Sequence, residues 1–252
     1  MTGSEENQFT PPGVGVNKLI LKFFLLIFKI SFLAIQFDIN SILPVLNFRI
    51  LSRIVLTQGK AHEWERLDNP VLMATDKNVR WWENDKLYKS TIIRDKSLLT
   101  GHKFVMYYNA HGDSIEPQRG AERIGMAVSD DMVHWNRFLE DPVLNHHRGI
   151  TGDPYIQKIG DIWVMFYFGA FWQPEQRIAF DNFACSRDMV NWTDWEGEKL
   201  IEPTEDYDDR YAHKPCVVKW RGVVYHFYCA VNSKDQRGIA VATSVELGRS
   251  AK

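Results

Sequence analysis

The stretch "SDDMVHW", residues 129–135, returns as "SRDMVNW" at residues 186–192, and this doubled phrase decides the reading of the chain. A near-copy 57 positions on signals a duplicated supersecondary unit. Upstream of each phrase lies a run rich in β-branched and aromatic residues, "KFVMYYNA" (103–110) and "IWVMFYFGA" (162–170). A third such run, "GVVYHFYCA" (222–230), brings Tyr108, Tyr167 and Tyr228 into register. Shorter apolar runs precede them, beginning at Ser90, Asp153 and Lys214, and "GMAVS", "NFACS" and "AVATS" align Ala127, Ala184 and Ala242.

Each unit therefore reads as four short strands: an opening strand, an aromatic second strand, an A-x-S third strand, and a fourth that follows the Trp. Runs of this composition, broken by Gly, Asp and Asn, are strand signals. Four strands per roughly 60 residues mark a β-propeller blade, and no helix-period stretch intervenes. The expected fold is all-β, a propeller of four-stranded blades over residues 61–252, with units at about 81–144, 150–203 and 211–246. "HEWERLDNPVL" (62–72) parallels "VHWNRFLEDPVL" (133–144) and reads as the tail of an earlier unit.

Residues 1–60 differ. They carry six basic and three acidic side chains and the apolar stretch "KLILKFFLLIFKISFLAIQF". Lys22 and Lys29 interrupt that stretch, at roughly 2.5–3.5 kcal/mol each near the centre of a span. Membrane association through residues 18–36, an export signal, a packed helix and a diverged blade all remain open readings. Localisation stays open with them, a secreted, periplasmic or membrane-anchored protein being slightly favoured.

The 252 residues are 45% hydrophobic and 25% charged, the composition of an ordinary globular chain long enough for a large core. A net charge of −2 and the lack of a basic stripe argue against nucleic acid as a partner. Cys185, Cys216 and Cys229 stand in apolar runs without metal or redox spacing and read as buried thiols. No P-loop, dinucleotide fingerprint, HExxH or GxSxG motif is present, so no cofactor and no metal is expected. His146 and His147 read as a solvated loop pair.

Units whose third strand runs into "A-x-S-x-D-M-V-x-W" and whose opening strand begins Asp-Pro resemble the five-bladed β-propeller glycosidases, glycoside hydrolase families 43, 32, 117 and 130. The resemblance covers roughly residues 61–252. It implies a funnel on the propeller axis, where carboxylates from the innermost strands of different blades meet. It further implies an oligosaccharide or glycoside substrate and cleavage by carboxylate or histidine acid–base chemistry. Asp153, in "GITGDPYI", matches the Asp-Pro opening and is the leading catalytic carboxylate. His213 and Lys214, in "YAHKPCV", stand where a family 43 enzyme would carry its acid, and His213 is a candidate general acid. Glu122 is the third catalytic candidate. Lys214, Arg123, Ser90 and Glu83 are candidate substrate-binding residues, Lys214 suiting a uronate. Trp82 and Trp172 are candidate stacking platforms; if 81–82 is extended, only one of Trp81 and Trp82 can line a site.

The resemblance also implies a catalytic base in a first blade, which would fall upstream of residue 62, where Asp38 is the only Asp and no Asp-Pro opening occurs. Two further readings follow. One is a non-catalytic carbohydrate-binding remnant. The other is a glycoside phosphorylase, for which Arg123, Arg148, Lys214 and Lys89 are the available basic groups.

Overall fold

A computed structural model describes residues 66–112, 121–175 and 177–248. Residues 1–60, with the readings placed on them, lie outside the described residues. Eleven strands are described, and the one helical element described is a three-residue 3-10 turn at Trp81–Glu83.

The first blade holds β1 (Lys86–Arg94), β2 (Phe104–His111), β3 (Glu122–Ser129) and the two-residue β4 (Asn136–Arg137), hydrogen-bonded in that order. The second repeats it as β5 (Ile150–Ile159), β6 (Ile162–Ala170), β7 (Ala179–Ser186) and β8 (Thr193–Asp194). The third supplies β9 (Tyr211–Trp220), β10 (Val223–Val231) and β11 (Arg237–Thr243). Within each blade the strands are antiparallel neighbours. One parallel pair, Ala179 with Tyr211, joins the second and third blades into a seven-stranded sheet. The aligned runs thus became strands where expected, while Arg66–Leu72, parallel in sequence to a blade tail, forms no strand.

The doubled phrase is a turn built twice. Ser129 Oγ accepts from the N–H groups of Asp131 and Met132, and Asp131 Oδ1 from those of Val133 and His134. Ser186 and Asp188 do the same for Asp188, Met189, Val190 and Asn191. Met132 and Met189 take positive φ (71° and 66°), and Trp135 and Trp192 close each turn by donating to those methionines' carbonyls. Side-chain acceptors satisfy the N–H groups that leave the ladder.

Period-2 alternation then stacks the blades. On β2, Val105 and Tyr107 face the second blade and pack with Met165 and Tyr167 of β6 and with Met189 of the turn. Met106 and Tyr108 face the other way, against Trp82 and Trp135, with Leu72 and Trp81 beside them. On β6, Val164 and Phe166 point to Val217 of the third blade. Middle strands are consequently buried on both faces, whereas β9 alternates buried and exposed along much of its length.

Candidate functional site

All three innermost strands break register at the same place: at Lys89 in β1, at Asp153–Pro154 in β5 and at Lys214–Pro215 in β9. Such bulges re-aim side chains and are common beside functional sites. The bulged residues have φ of +49°, +52° and +66°, a left-handed backbone that costs a non-glycine residue about 1–2 kcal/mol. Strain at one position in three successive repeats needs a use.

The three side chains meet. Lys214 Nζ lies 3.2 Å and Lys89 Nζ 3.7 Å from the same oxygen, Asp153 Oδ2. Asn109, from β2, donates to Asp153 Oδ1 at 3.1 Å and accepts from the Asp153 N–H at 2.8 Å. Gly152 permits this approach, since a Cβ there would stand 2.4 Å from Asn109 Nδ2. A groove of about 180 Å³ opens on the cluster, lined by Lys89, Ser90, Thr91, Asp153, Pro154, Tyr155 and Pro215. Glu122 and Asn109 both lie close enough to the Tyr88 hydroxyl to act on it, which brings Glu122 into the neighbourhood. Burial, reinforced by Glu122, pushes the Tyr88 phenol well above its ordinary range, so it stays a neutral hydroxyl.

Asp153, Lys214, Glu122 and Ser90 therefore share one neighbourhood. The counterpart of Asp153 and Lys214 in β1 is Lys89, one residue before Ser90; the bulge puts alignment by the apolar run off by one. Asn109 and Tyr88 are site residues that the sequence does not single out. Their signal, a polar residue beside an aligned strand tyrosine and a tyrosine before the bulge, is too weak without the register.

Other candidates lie elsewhere. Glu83 is fully buried, accepting from Tyr108 Oη, Arg137 Nε and the Arg80 N–H, and so anchors the first blade instead of facing a ligand. Trp82 is 1% exposed, core rather than platform, because residues 81–83 turn instead of extending. Arg123 is also buried, its guanidinium over Trp81 and donating to the Ala121 and Trp82 carbonyls, beyond reach of a substrate. Trp172 is already stacked on His146 (3.5 Å between ring centroids), which removes that face as a platform. His146 is no solvated loop residue either: its nitrogens meet Thr151 Oγ1 and Asp194 Oδ2, both at 2.8 Å.

His213 lies next to Lys214 but packs against Phe168 and Tyr211. Its Nδ1 donates to the Cys229 carbonyl, and burial lowers its pKa, so the ring is neutral near pH 7 with its proton committed to Nδ1. That suits an acceptor at Nε2 and not a general acid. A further pair has no signature in the sequence: buried Asp181 of β7 meets His226 Nε2 of β10 at 2.8 Å. Burial pushes the Asp181 carboxyl up to about 7, against the pull of His226. Of the cysteines read as buried, Cys216 is exposed, and Cys185 and Cys229 are half-buried. Among the described residues no cluster of His, Cys, Asp or Glu could hold a metal ion, and no helix is long and apolar enough to cross a membrane.

Propeller-type blades with a carboxylate and two ammonium groups converging from their first strands define the class of fold. Comparison with known proteins makes the relationship specific. A solved structure described as "Glycoside hydrolase" is 53% identical over 76% of this chain and 55% of its own, with a TM-score of 0.69. The protein of a solved BT0996–RGII complex is likewise 53% identical, over 75% of this chain and 54% of its own, with a TM-score of 0.68. A thermostable family-43 glycoside hydrolase is 21% identical over 66% and 54%, with a TM-score of 0.47. No family model matches the sequence, and no curated protein matches it. By these likenesses the chain is glycoside hydrolase-like, and it spans just over half the length of the two structures at 53% identity.

Proposed function

We propose that residues 61–252 form the glycosidase-like domain and carry part of a glycoside hydrolase active site centred on Asp153, with Glu122 as the second carboxylate. The observation that supports this best is the convergence of three strained, bulged residues from successive blades on one groove. Asn109, Lys89 and Lys214 all present donors to Asp153 and fix the orientation of its carboxylate, the group proposed to stabilise positive charge at an anomeric carbon or to attack it. Glu122 stands beside the Tyr88 hydroxyl, a group that can both donate and accept a hydrogen bond. Lys89 and Lys214 border the groove and suit an acidic sugar. The substrate proposed is an oligosaccharide, and the RGII of the similar complex is the first to try.

The competing reading is carbohydrate binding without turnover. It is favoured by Lys214, which stands where the family resemblance puts an acid. A phosphorylase is less well supported, since Arg123 is buried and Arg148 is an exposed loop residue.

The test is product release from RGII fragments and a panel of aryl glycosides, comparing wild type with Asp153→Asn and Glu122→Gln. Each substitution is expected to lower kcat/KM by ~10²–10⁴, the usual weight of one acid–base group. An unchanged rate in Glu122→Gln removes Glu122 from the mechanism. Sugar binding with no turnover in the wild type leaves the binding reading standing.

A further inference from the structure

A second concavity, of about 780 Å³, lies along the second blade and shares no lining residue with the Asp153 groove. Its size falls in the range of about 300–1,000 Å³ common for small-molecule sites. Asn182 of β7, Asp194 of β8, His146, Trp172 and residues 195–199 are among those that line it.

Most side-chain donors in this concavity are already engaged. His146 is engaged at both nitrogens, Trp172 Nε1 donates to the Ile150 carbonyl, Trp195 Nε1 to that of Glu198, and Lys199 pairs with Glu202 at 3.1 Å. Acceptors are in surplus. Asn182 is 3% exposed, and its Nδ2 donates to the Trp195 carbonyl and the Tyr167 hydroxyl, which fixes the amide. Its Oδ1 is buried and has no hydrogen-bond partner, a cost of about 1–3 kcal/mol that a donor would relieve. Glu196 and Glu198 add exposed carboxylates at the rim. Water or a bound molecule can supply the donor that Asn182 Oδ1 lacks.

We propose that this cleft is a second carbohydrate site, which takes a neutral, hydroxyl-rich sugar residue through Asn182, Glu196 and Glu198 and rejects acidic sugars. Sugar hydroxyls are the donors it lacks, and Trp195, held against Phe183 at 5.3 Å, gives the rim a fixed aromatic edge. The site stands apart from Asp153 and does not depend on hydrolysis there.

The experiment is calorimetric titration of the full chain with cellotetraose, xylotetraose and galactotetraose, and with tetragalacturonate and the glucosamine tetramer as charged controls. At least one neutral tetramer is expected to bind with a millimolar or better Kd. Lys214→Ala should change that Kd less than two-fold. The double variant Glu196→Lys/Glu198→Lys should weaken it at least ten-fold. Both glutamates are exposed, and an unchanged Tm confirms that the variant is folded. Binding lost in Lys214→Ala but kept in the double variant would place the sugar in the Asp153 groove and overturn the proposal. So would tighter binding of tetragalacturonate or of the glucosamine tetramer than of every neutral sugar, or saturation by none of the neutral probes.

Discussion

Lys89, Asp153 and Lys214 are where single residues matter most. Each holds a left-handed backbone that glycine would adopt freely, and each instead presents a charge to one point. Lys214→Gly should therefore be more stable than Lys214→Ala by about 1 kcal/mol, because only alanine keeps the Cβ clash. Denaturant midpoints of the two variants measure it, and equal midpoints would mean that the bulge relaxes. Asp181 carries the pH prediction. Its folded-state pKa of about 7 exceeds that of an unfolded aspartate, near 3.9, so the native state holds the proton more tightly. Stability should then fall as pH rises from about 4 to about 7, by at most ~1.4 kcal/mol per pH unit, and level off above. His226, in direct contact, and Asp153, whose charge opposes ionisation, are the groups acting on it. Urea unfolding across that range should show the decline in the wild type and a flatter profile in Asp181→Asn.

At the scale of elements, the two copies of the turn have the same hydrogen bonds but different surroundings. Met189 is fully buried beneath the Tyr107 hydroxyl, which donates to its carbonyl, whereas Met132 is 45% exposed. Ser186→Ala leaves the buried Met189 N–H without an acceptor and should cost about 1–3 kcal/mol. Ser129→Ala should cost less than about 1 kcal/mol, since water can replace the hydroxyl at a half-buried turn. Thermal denaturation of the two variants decides it. The repeat itself was legible because Ser, Asp, Met and Trp at fixed offsets are all needed to close this turn. The two-residue fourth strands that follow it were legible only as a position, since two residues carry no periodicity.

Across the molecule, stability comes from face-to-face stacking of blades, and its distribution follows from which faces are covered. Val217 is 2% exposed against the second blade, while its neighbour Val218 is 44% exposed on the opposite face of β9. Val217→Ala should cost about 2 kcal/mol and Val218→Ala under about 0.5 kcal/mol. Comparable losses at both positions would show that the outer face of the third blade is covered in solution. The same logic explains the misplaced site candidates. Trp82, Glu83 and Arg123 have the residue types of a sugar site, but all are buried on the far face of the first blade, where Leu72 and Trp81 help to cover them.

The sequence alone determined the blades, because strand pairing and the turn phrase are local and repeat with the chain. It also singled out Asp153, through its Asp-Pro opening, as the centre of the proposed site. Only the tertiary structure decided which side chains meet there. One-residue bulges shift the register of each innermost strand, and the surroundings of a carboxylate such as Asp153 depend on groups 44 to 64 residues away. Composition and spacing do not encode those contacts. They arise when the blades stack and bring Lys89, Asn109 and Lys214 to one aspartate.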